Sequence, residues 1–188
     1  MEAQCALIQG QYQTFDGRLL APALAGLLTS VGITETAMGK TEIAVIVANK
    51  FKKSSVELQE LANNGISYFV PSAGGAKIPR PITTSQSNNP VLQEPSVLRI
   101  RDYIAYTLRN VLETRFVGKA IVANLEGDIL KVVVNFCKAQ IAANLLTDAK
   151  NFKVVQDNIE PRQMDVSFDM QPVFPLVYIN VSFRVMLL

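Results

Sequence analysis

The chain has 188 residues, 49% of them hydrophobic, which is enough to bury one sizeable core without disulfides or metals. Its 18 basic and 16 acidic residues leave a formal charge of +2, and the basic residues are scattered, so the charge does not indicate nucleic acid as a partner. Because the chain contains no histidine, catalysis by an imidazole base and metal binding through imidazole are excluded. Cys5 and Cys137 lack the spacing of a zinc site or a disulfide framework and predict two buried thiols.

The sequence gives no indication of a membrane segment or a secretory signal. Its first residues lack a basic stretch followed by a long apolar one, and the longest apolar run, residues 43–48, covers only six positions. We therefore expect a protein that is made and kept in a cytoplasm.

The first part of the chain predicts short strands and one buried helix. A strand is expected at residues 5–8, followed by turn residues and then by a helix over residues 19–28. Pro22 is compatible with that helix because it falls in the first turn, where a backbone N–H has no intrahelical partner.

Residues 43–70 predict a strand–helix–strand unit. The β-branched run at residues 43–48 is typical of a strand covered on both faces, and Ser54 and Glu57 have the spacing of a capping box that opens a helix. Gly65 ends that helix, and residues 66–70 predict the second strand. The natural packing of such a unit is a parallel crossover.

A change of composition separates this unit from two long helices. Residues 71–95 are rich in Pro, Gly, Ser, Thr and Asn and predict a long exposed connection, with a possible strand at 78–83. Apolar residues at helical spacing then predict helices over residues 97–116 and 125–146, with the break at Gly118.

The end of the chain predicts strands at residues 152–155, 164–170 and 177–185. In the last of these, apolar residues occupy every second position, at Val177, Ile179, Val181, Phe183 and Val185. Pro172 and Pro175 precede it and detach it from the strand before. It could pair with the sheet edge of another chain or fold back as an edge strand of its own domain, and the residues favour neither.

No set of residues predicts a catalytic or cofactor site. Gly39, Lys40 and Thr41 resemble the end of a phosphate-binding loop, but the glycine that such a loop needs five positions earlier is Thr34. Glu126 and Asp128 fall at a predicted helix start, where carboxylates interact with the helix dipole. We therefore predict no cofactor, no metal and no enzymatic activity, with a small α/β enzyme or ligand-binding protein as the alternative.

Five cations lie along the first predicted long helix and just after its end. They could contact an acidic protein surface, or they could form an ordinary solvated helix face. They are Arg99, Arg101, Arg109, Arg115 and Lys119.

Several segments resemble, in their order and in their amino-acid sequence, the C-terminal part of contractile tail sheath proteins of bacteriophages and related injection machines. The most specific is Ser-Val-Leu-Arg-Ile-Arg-Asp-Tyr-Ile at residues 96–104, continuing to Phe-Val-Gly-Lys at 116–119. Residues 20–27, a small-residue helix, and 64–69, a glycine before an apolar strand, also match. The closing Val-Phe-Pro-Leu at residues 173–176 is similar to the start of the family's terminal arm.

The resemblance implies a structural subunit of a contractile sheath. Such subunits stack as hexameric rings around a tail tube, add strands to their neighbours and drive contraction for injection. The implied partners are further copies, the tube protein, and baseplate and terminator proteins, with neither nucleic acid nor membrane. The implied location is the virion tail, assembled in the host bacterial cytoplasm. A terminator or baseplate ring protein is the alternative within the same tail.

The expected fold is α/β, a mixed sheet with flanking helices. Its predicted parts are an N-terminal strand or arm at residues 1–18, a core at 19–170 and a β-strand arm at 171–188. Because sheath subunits are much longer, the chain corresponds to their C-terminal part only.

Overall fold

The structure, a computed structural model, describes residues 2–8, 11–16, 20–39, 54–72, 75–85, 89–177 and 179–184. It divides into two compact units, Met1–Gln93 with Phe174–Leu188 and, separately, Glu94–Val173. The described residues form five helices and three two-stranded antiparallel sheets, which confirms the α/β class. The predicted boundaries at residues 18 and 170 stay a prediction.

The first unit begins with an antiparallel hairpin of β1 (Glu2–Ile8) and β2 (Gln11–Asp16). The strand predicted at residues 5–8 lies inside β1. Strand β2 was not predicted, because Gln11–Asp16 is mostly polar and shows weak alternation.

Helix α1 (Leu20–Ser30) confirms the helix predicted around residues 19–28, with Pro22 in its first turn. Its Leu27 is buried together with Ala37 and Ile78, and Leu24, Leu28 and Phe69 pack around them. These residues form the small core of the first unit.

Helix α2 (Ser55–Asn63) begins at the predicted capping box. The Ser54 backbone N–H donates to Glu57 Oε2 at 2.7 Å, and the Glu57 N–H donates to Ser54 Oγ at 3.3 Å. Within α2, which the structure describes in full, no side chain is buried. The start of this helix therefore depends strongly on its cap.

The predicted strands at residues 66–70 and 78–83 are wrong. Among the described residues of this region, the strands that form are β3 (Val70–Ser72) and β4 (Gly75–Lys77), in a short antiparallel hairpin. Residues 66–69 and 78–83 are joined instead through a side chain, because the Ser67 hydroxyl accepts from the Ile82 N–H and donates to the Ile82 carbonyl, both at 3.0 Å. The strand predicted at residues 43–48, and with it the parallel crossover, lies outside the described residues.

A short helix, α3 (Pro90–Gln93), closes the first unit's last loop. The Thr83 N–H donates to the Gln93 carbonyl at 2.9 Å, so both ends of this loop are held together.

The second unit contains the two long helices. Helix α4 (Pro95–Phe116) confirms the first prediction, and Gly118, at φ +83°, follows its end. Helix α5 (Leu125–Ala142) ends earlier than the predicted residue 146. Asn144 has a positive φ of 57° there, so the chain leaves the helix and enters the next strand at Leu146.

Strands β5 (Leu146–Gln156) and β6 (Met164–Pro172) form an antiparallel hairpin whose register runs from Gln156 opposite Met164 to Leu146 opposite Pro172. Both strands are longer than predicted. Strand β5 carries two register shifts, and Asn151, at φ +57°, lies in the second. Such irregularities bend one strand and leave the other regular.

The core of the second unit lies between the long helices and the hairpin. Leu108 of α4 and Ile129, Val133 and Cys137 of α5 are buried, with side chains of β5 and β6 packed against them. The rings of Phe152 and Phe168 stack across the hairpin with their centroids 5.6 Å apart.

The segment predicted as the last strand is not a strand in the structure. Residues 173–177 and 179–184 have no assigned strand or helix. A strand needs hydrogen-bonding partners, and the described part of the chain pairs none with this segment.

Candidate functional site

An apolar groove of about 770 Å³ lies between the second half of α4 and strand β6. Its volume falls within the range of cavities that bind organic ligands and peptide side chains. The apolar lining comes from Leu108, Leu112 and Phe116 of α4, from Ile121, Leu125 and Ile129, and from Met164, Val166 and Phe168 of β6.

The period-two pattern of β6 explains how a strand contributes to the groove. Met164, Val166 and Phe168 point toward the helices and are only half-buried, whereas Asp165 and the other odd-numbered residues are exposed. The unit's own helices therefore leave part of this apolar face uncovered.

The rim of the groove carries more positive than negative charge. Arg109, Lys119 and Arg162 line it together with a single carboxylate, Glu113. Arg162 donates to Glu160 at 2.7 and 2.9 Å, which raises the pKa of Arg162 and lowers the pKa of Glu160, so this pair is neutral as a whole. Arg109 and Lys119 form no ion pair within the described residues and remain the free cations of the rim.

The five predicted cations are not gathered into one surface. Arg109 and Lys119 lie at the groove. Arg101 pairs with the adjacent Asp102 at 2.7 Å, Arg115 is exposed in the last turn of α4, and Arg99 is half-buried. Their contact with a tube or a neighbour stays a prediction.

The outer edge of β6 is suited to accept a further strand. In the part of the chain that the structure describes, β5 and β6 pair only with each other, so each has an edge of backbone N–H and C=O groups. The register shifts and Asn151 interrupt β5, whereas β6 alternates without interruption and borders the groove. A bulged edge pairs poorly, so β6 offers the better edge.

The predicted partner-binding residues at the end of the chain are unusually exposed. Ile179, Val181 and Phe183 expose 74%, 79% and 86% of their surface, and Val177 is half-buried. Val185 lies outside the described residues. Large exposed apolar side chains at every second position of a segment with no strand partner among the described residues are typical of a segment that pairs with another chain.

The carboxylate of Asp157 holds the start of the loop that joins β5 and β6. Asp157 Oδ1 accepts from the N–H groups of Ile159 at 2.7 Å and Glu160 at 2.8 Å, and these bonds lower the pKa of Asp157. The Asp157 N–H also donates to the Gln163 carbonyl at 3.0 Å. This loop therefore fixes the register of the hairpin on which the groove depends.

Among the described residues no group of three or more Cys, Asp or Glu side chains is placed to hold a metal ion, and none of their helices is both long and apolar enough to cross a membrane. Burial raises the pKa of the Cys137 thiol, which makes it a poor nucleophile. Apolar side chains and backbone hydrogen-bonding groups are what the site presents.

Sequence reasoning did not identify the groove or Asp165 beside it. The alternation over residues 164–170 did predict the apolar face of β6. Which part of that face stays uncovered depends on how α4 packs, and no local pattern carries that information.

Comparison with known families gives a match to the phage tail sheath C-terminal domain over residues 87–186. This region includes α4, α5, the β5–β6 hairpin and the exposed segment after it. No curated protein sequence matches the chain.

Solved sheath proteins have a similar fold. The sheath tail protein of Listeria innocua matches with a TM-score of 0.74 and 16% identity over 91% of this chain and 42% of its own. The contracted helical sheath of the anti-feeding prophage gives 0.70 and 14%, covering 97% of this chain and 54% of its own. The contracted sheath complex of an extracellular contractile injection system, PVC, gives 0.66 and 15%, covering 97% and 54%. The chain thus spans about half the length of these structures.

Proposed function

This chain belongs to the phage tail sheath family, and we propose that it is a structural subunit of a contractile sheath that assembles around a tail tube by adding strands between copies. Two of the solved sheaths of similar fold are in a contracted state, and one of these belongs to an extracellular contractile injection system. The proposal includes stacked hexameric rings, contact with tube, baseplate and terminator proteins, and assembly in the host bacterial cytoplasm. The work of such a subunit is mechanical, and no enzymatic step is part of it.

The observation that carries the proposal is the exposed apolar row at Ile179, Val181 and Phe183. A single copy leaves this row in water and also leaves the groove beside β6 open. Burying apolar surface stabilises by about 25 cal/mol per Å². A segment of one copy laid along β6 of another would therefore cover both surfaces and complete the backbone hydrogen bonds of the β6 edge.

Strand addition also suits a machine that changes length. Backbone hydrogen bonds between a flexible segment and a strand persist when the domains they connect rotate as rigid bodies. The prolines at 172 and 175 separate the segment from β6 of its own copy, which favours pairing with a different copy.

Deletion of residues 176–188 tests the proposal. We expect the truncated chain to stay folded, since the cores of both units lie before residue 173, and to lose assembly with itself and with the tube protein. Sedimentation velocity and circular dichroism measure these two properties.

A pair of double substitutions provides the matched control. Ile179→Ser with Val181→Ser removes the apolar row and should reduce assembly at least tenfold. Asn180→Ala with Ser182→Ala changes the opposite face of the same segment and should leave assembly within about twofold. Assembly of the truncated chain at the normal level would contradict the proposal.

A further inference from the structure

We propose that the segment 177–184 of one copy pairs antiparallel with β6 of a second copy, with Arg184 opposite Asp165, and that this ion pair sets the register. The inference rests on the proposed function, because it specifies the geometry of the strand addition. Its evidence is the distribution of charge and side-chain size along the two segments.

Asp165 is a carboxylate of β6 that forms no ion pair within the described residues. Within the hairpin it lies opposite Val155, and among the described residues its carboxylate accepts a hydrogen bond from Gln163 Nε2 at 2.8 Å. Asp169 differs, because it lies opposite Lys150 and accepts from Asn151 Nδ2 at 2.6 Å. An incoming cation therefore gains most beside Asp165.

Arg184 is the cation that the segment brings. It is exposed, it forms no ion pair within the described residues, and residues 177–183 contain no other charge. In an extended strand, Arg184 would share a face with Asn180 and Ser182, opposite to the apolar row. When the apolar row covers the groove, Arg184 consequently lies on the same sheet face as Asp165.

The length of β6 determines whether the segment runs parallel or antiparallel to it. If Arg184 is opposite Asp165 and the strands are parallel, residues 177–182 run past Met164, where β6 begins. In the antiparallel direction all eight residues from 177 to 184 lie opposite residues 172 to 165, inside β6. Only the antiparallel arrangement therefore forms a full ladder.

The antiparallel register also matches side chains by type. On the groove side Phe183 lies opposite Val166 and Val181 opposite Phe168, two aromatic pairs with β-branched residues, which stabilise sheets. On the solvent side Ser182 lies opposite Ser167. A shift by two residues would move Arg184 away from Asp165 and break these matches, so the register is specified on both faces.

Exchanging the charges of Arg184 and Asp165, one at a time and then together, tests the register. A fluorescent peptide of residues 174–188 is titrated with the full-length chain that carries Ile179→Ser and Val181→Ser, so that its own segment does not occupy β6, and anisotropy gives the Kd. Arg184→Glu in the peptide, or Asp165→Arg in the chain, should raise Kd about fivefold, since a cross-strand ion pair is lost and like charges meet. The two changes together should restore Kd to within about twofold of the unmodified pair.

Asp169→Arg is the matched control, and it should not restore binding of the Arg184→Glu peptide. Rescue by Asp169→Arg instead of Asp165→Arg, or no effect of Arg184→Glu, would overturn the register. Circular dichroism verifies that the chain variants fold, and Asp165→Lys serves as a second exchange. Failure of the unmodified peptide to bind would contradict strand addition at β6 itself. The wrong pattern of rescue would contradict only the register, so the two outcomes are distinguishable.

Discussion

At the scale of single residues, Gly65 shows how one position determines the path of the chain after α2. Its φ of +72° is readily adopted only by glycine, and a Cβ there would lie 3.0 Å from the backbone of Thr84. Both the conformation and the space therefore require glycine, and the backbone of Thr84 cannot rotate away as a side chain would.

We predict that Gly65→Ala lowers the free energy of unfolding by about 2–3 kcal/mol, the sum of the left-handed strain and the backbone contact. Gly39→Ala is the control, because Gly39 has a similar φ of +67° with nothing within 4 Å of the added Cβ. That variant should cost about 1 kcal/mol. Urea unfolding measures both values, and equal losses would show that the Thr84 contact is unimportant.

Single residues also show where sequence reasoning succeeds. The capping residues Ser54 and Glu57 were identified from their spacing alone, and so was the break at Gly118, because both depend on interactions within a few positions. Asp165 was not identified, since its importance depends on which residue β5 places opposite it.

At the scale of elements, α2 is the helix whose stability is most local. With no buried side chain of its own, it gains little from packing, so its capping box supplies a large share of what keeps its first turn formed.

We expect Ser54→Ala to destabilise α2 by about 1 kcal/mol, the usual value of an N-cap. Amide hydrogens of residues 55–63 should then exchange about fivefold faster, as measured by mass spectrometry of a peptide covering α2. Ser55→Ala removes a neighbouring hydroxyl without affecting the cap and should leave exchange nearly unchanged. Equal exchange in both variants would mean that tertiary contacts hold this helix.

Longer elements were predicted well and short ones poorly. Helices α4 and α5 extend over several turns of regular apolar spacing, and β6 has nine residues of strict alternation. The strands expected at residues 66–70 and 78–83 failed because a hydroxyl bond from Ser67 replaces the backbone ladder there. Local β propensity does not reveal such a competitor.

At the scale of the whole molecule, the described residues of a single copy leave an apolar groove, a strand edge and several large apolar side chains exposed. The second unit has a packed core of its own, yet it leaves the groove and the β6 edge open. The segment after it carries an apolar row with no strand partner among the described residues. The prediction of a strand at residues 177–185 was drawn from alternating apolar side chains, and the pairing that we propose with a second copy would supply the hydrogen-bonding partners that the described residues lack.

The family match and the surfaces that a single copy leaves exposed both support the proposed assembly by strand addition between copies. Residues 87–186 carry the sheath domain and include both the accepting strand and the exposed segment. A chain with a donor segment and an acceptor edge at different places forms head-to-tail contacts, which close into rings or extend as helical tubes.

Negative-stain electron microscopy of the purified full-length chain, alone and with its tube protein, tests the central claim most directly. The account predicts long hollow cylinders made of stacked rings, and dispersed particles when residues 176–188 are deleted. Discrete single rings that do not stack, or dispersed particles from the intact chain even with the tube protein present, would contradict it.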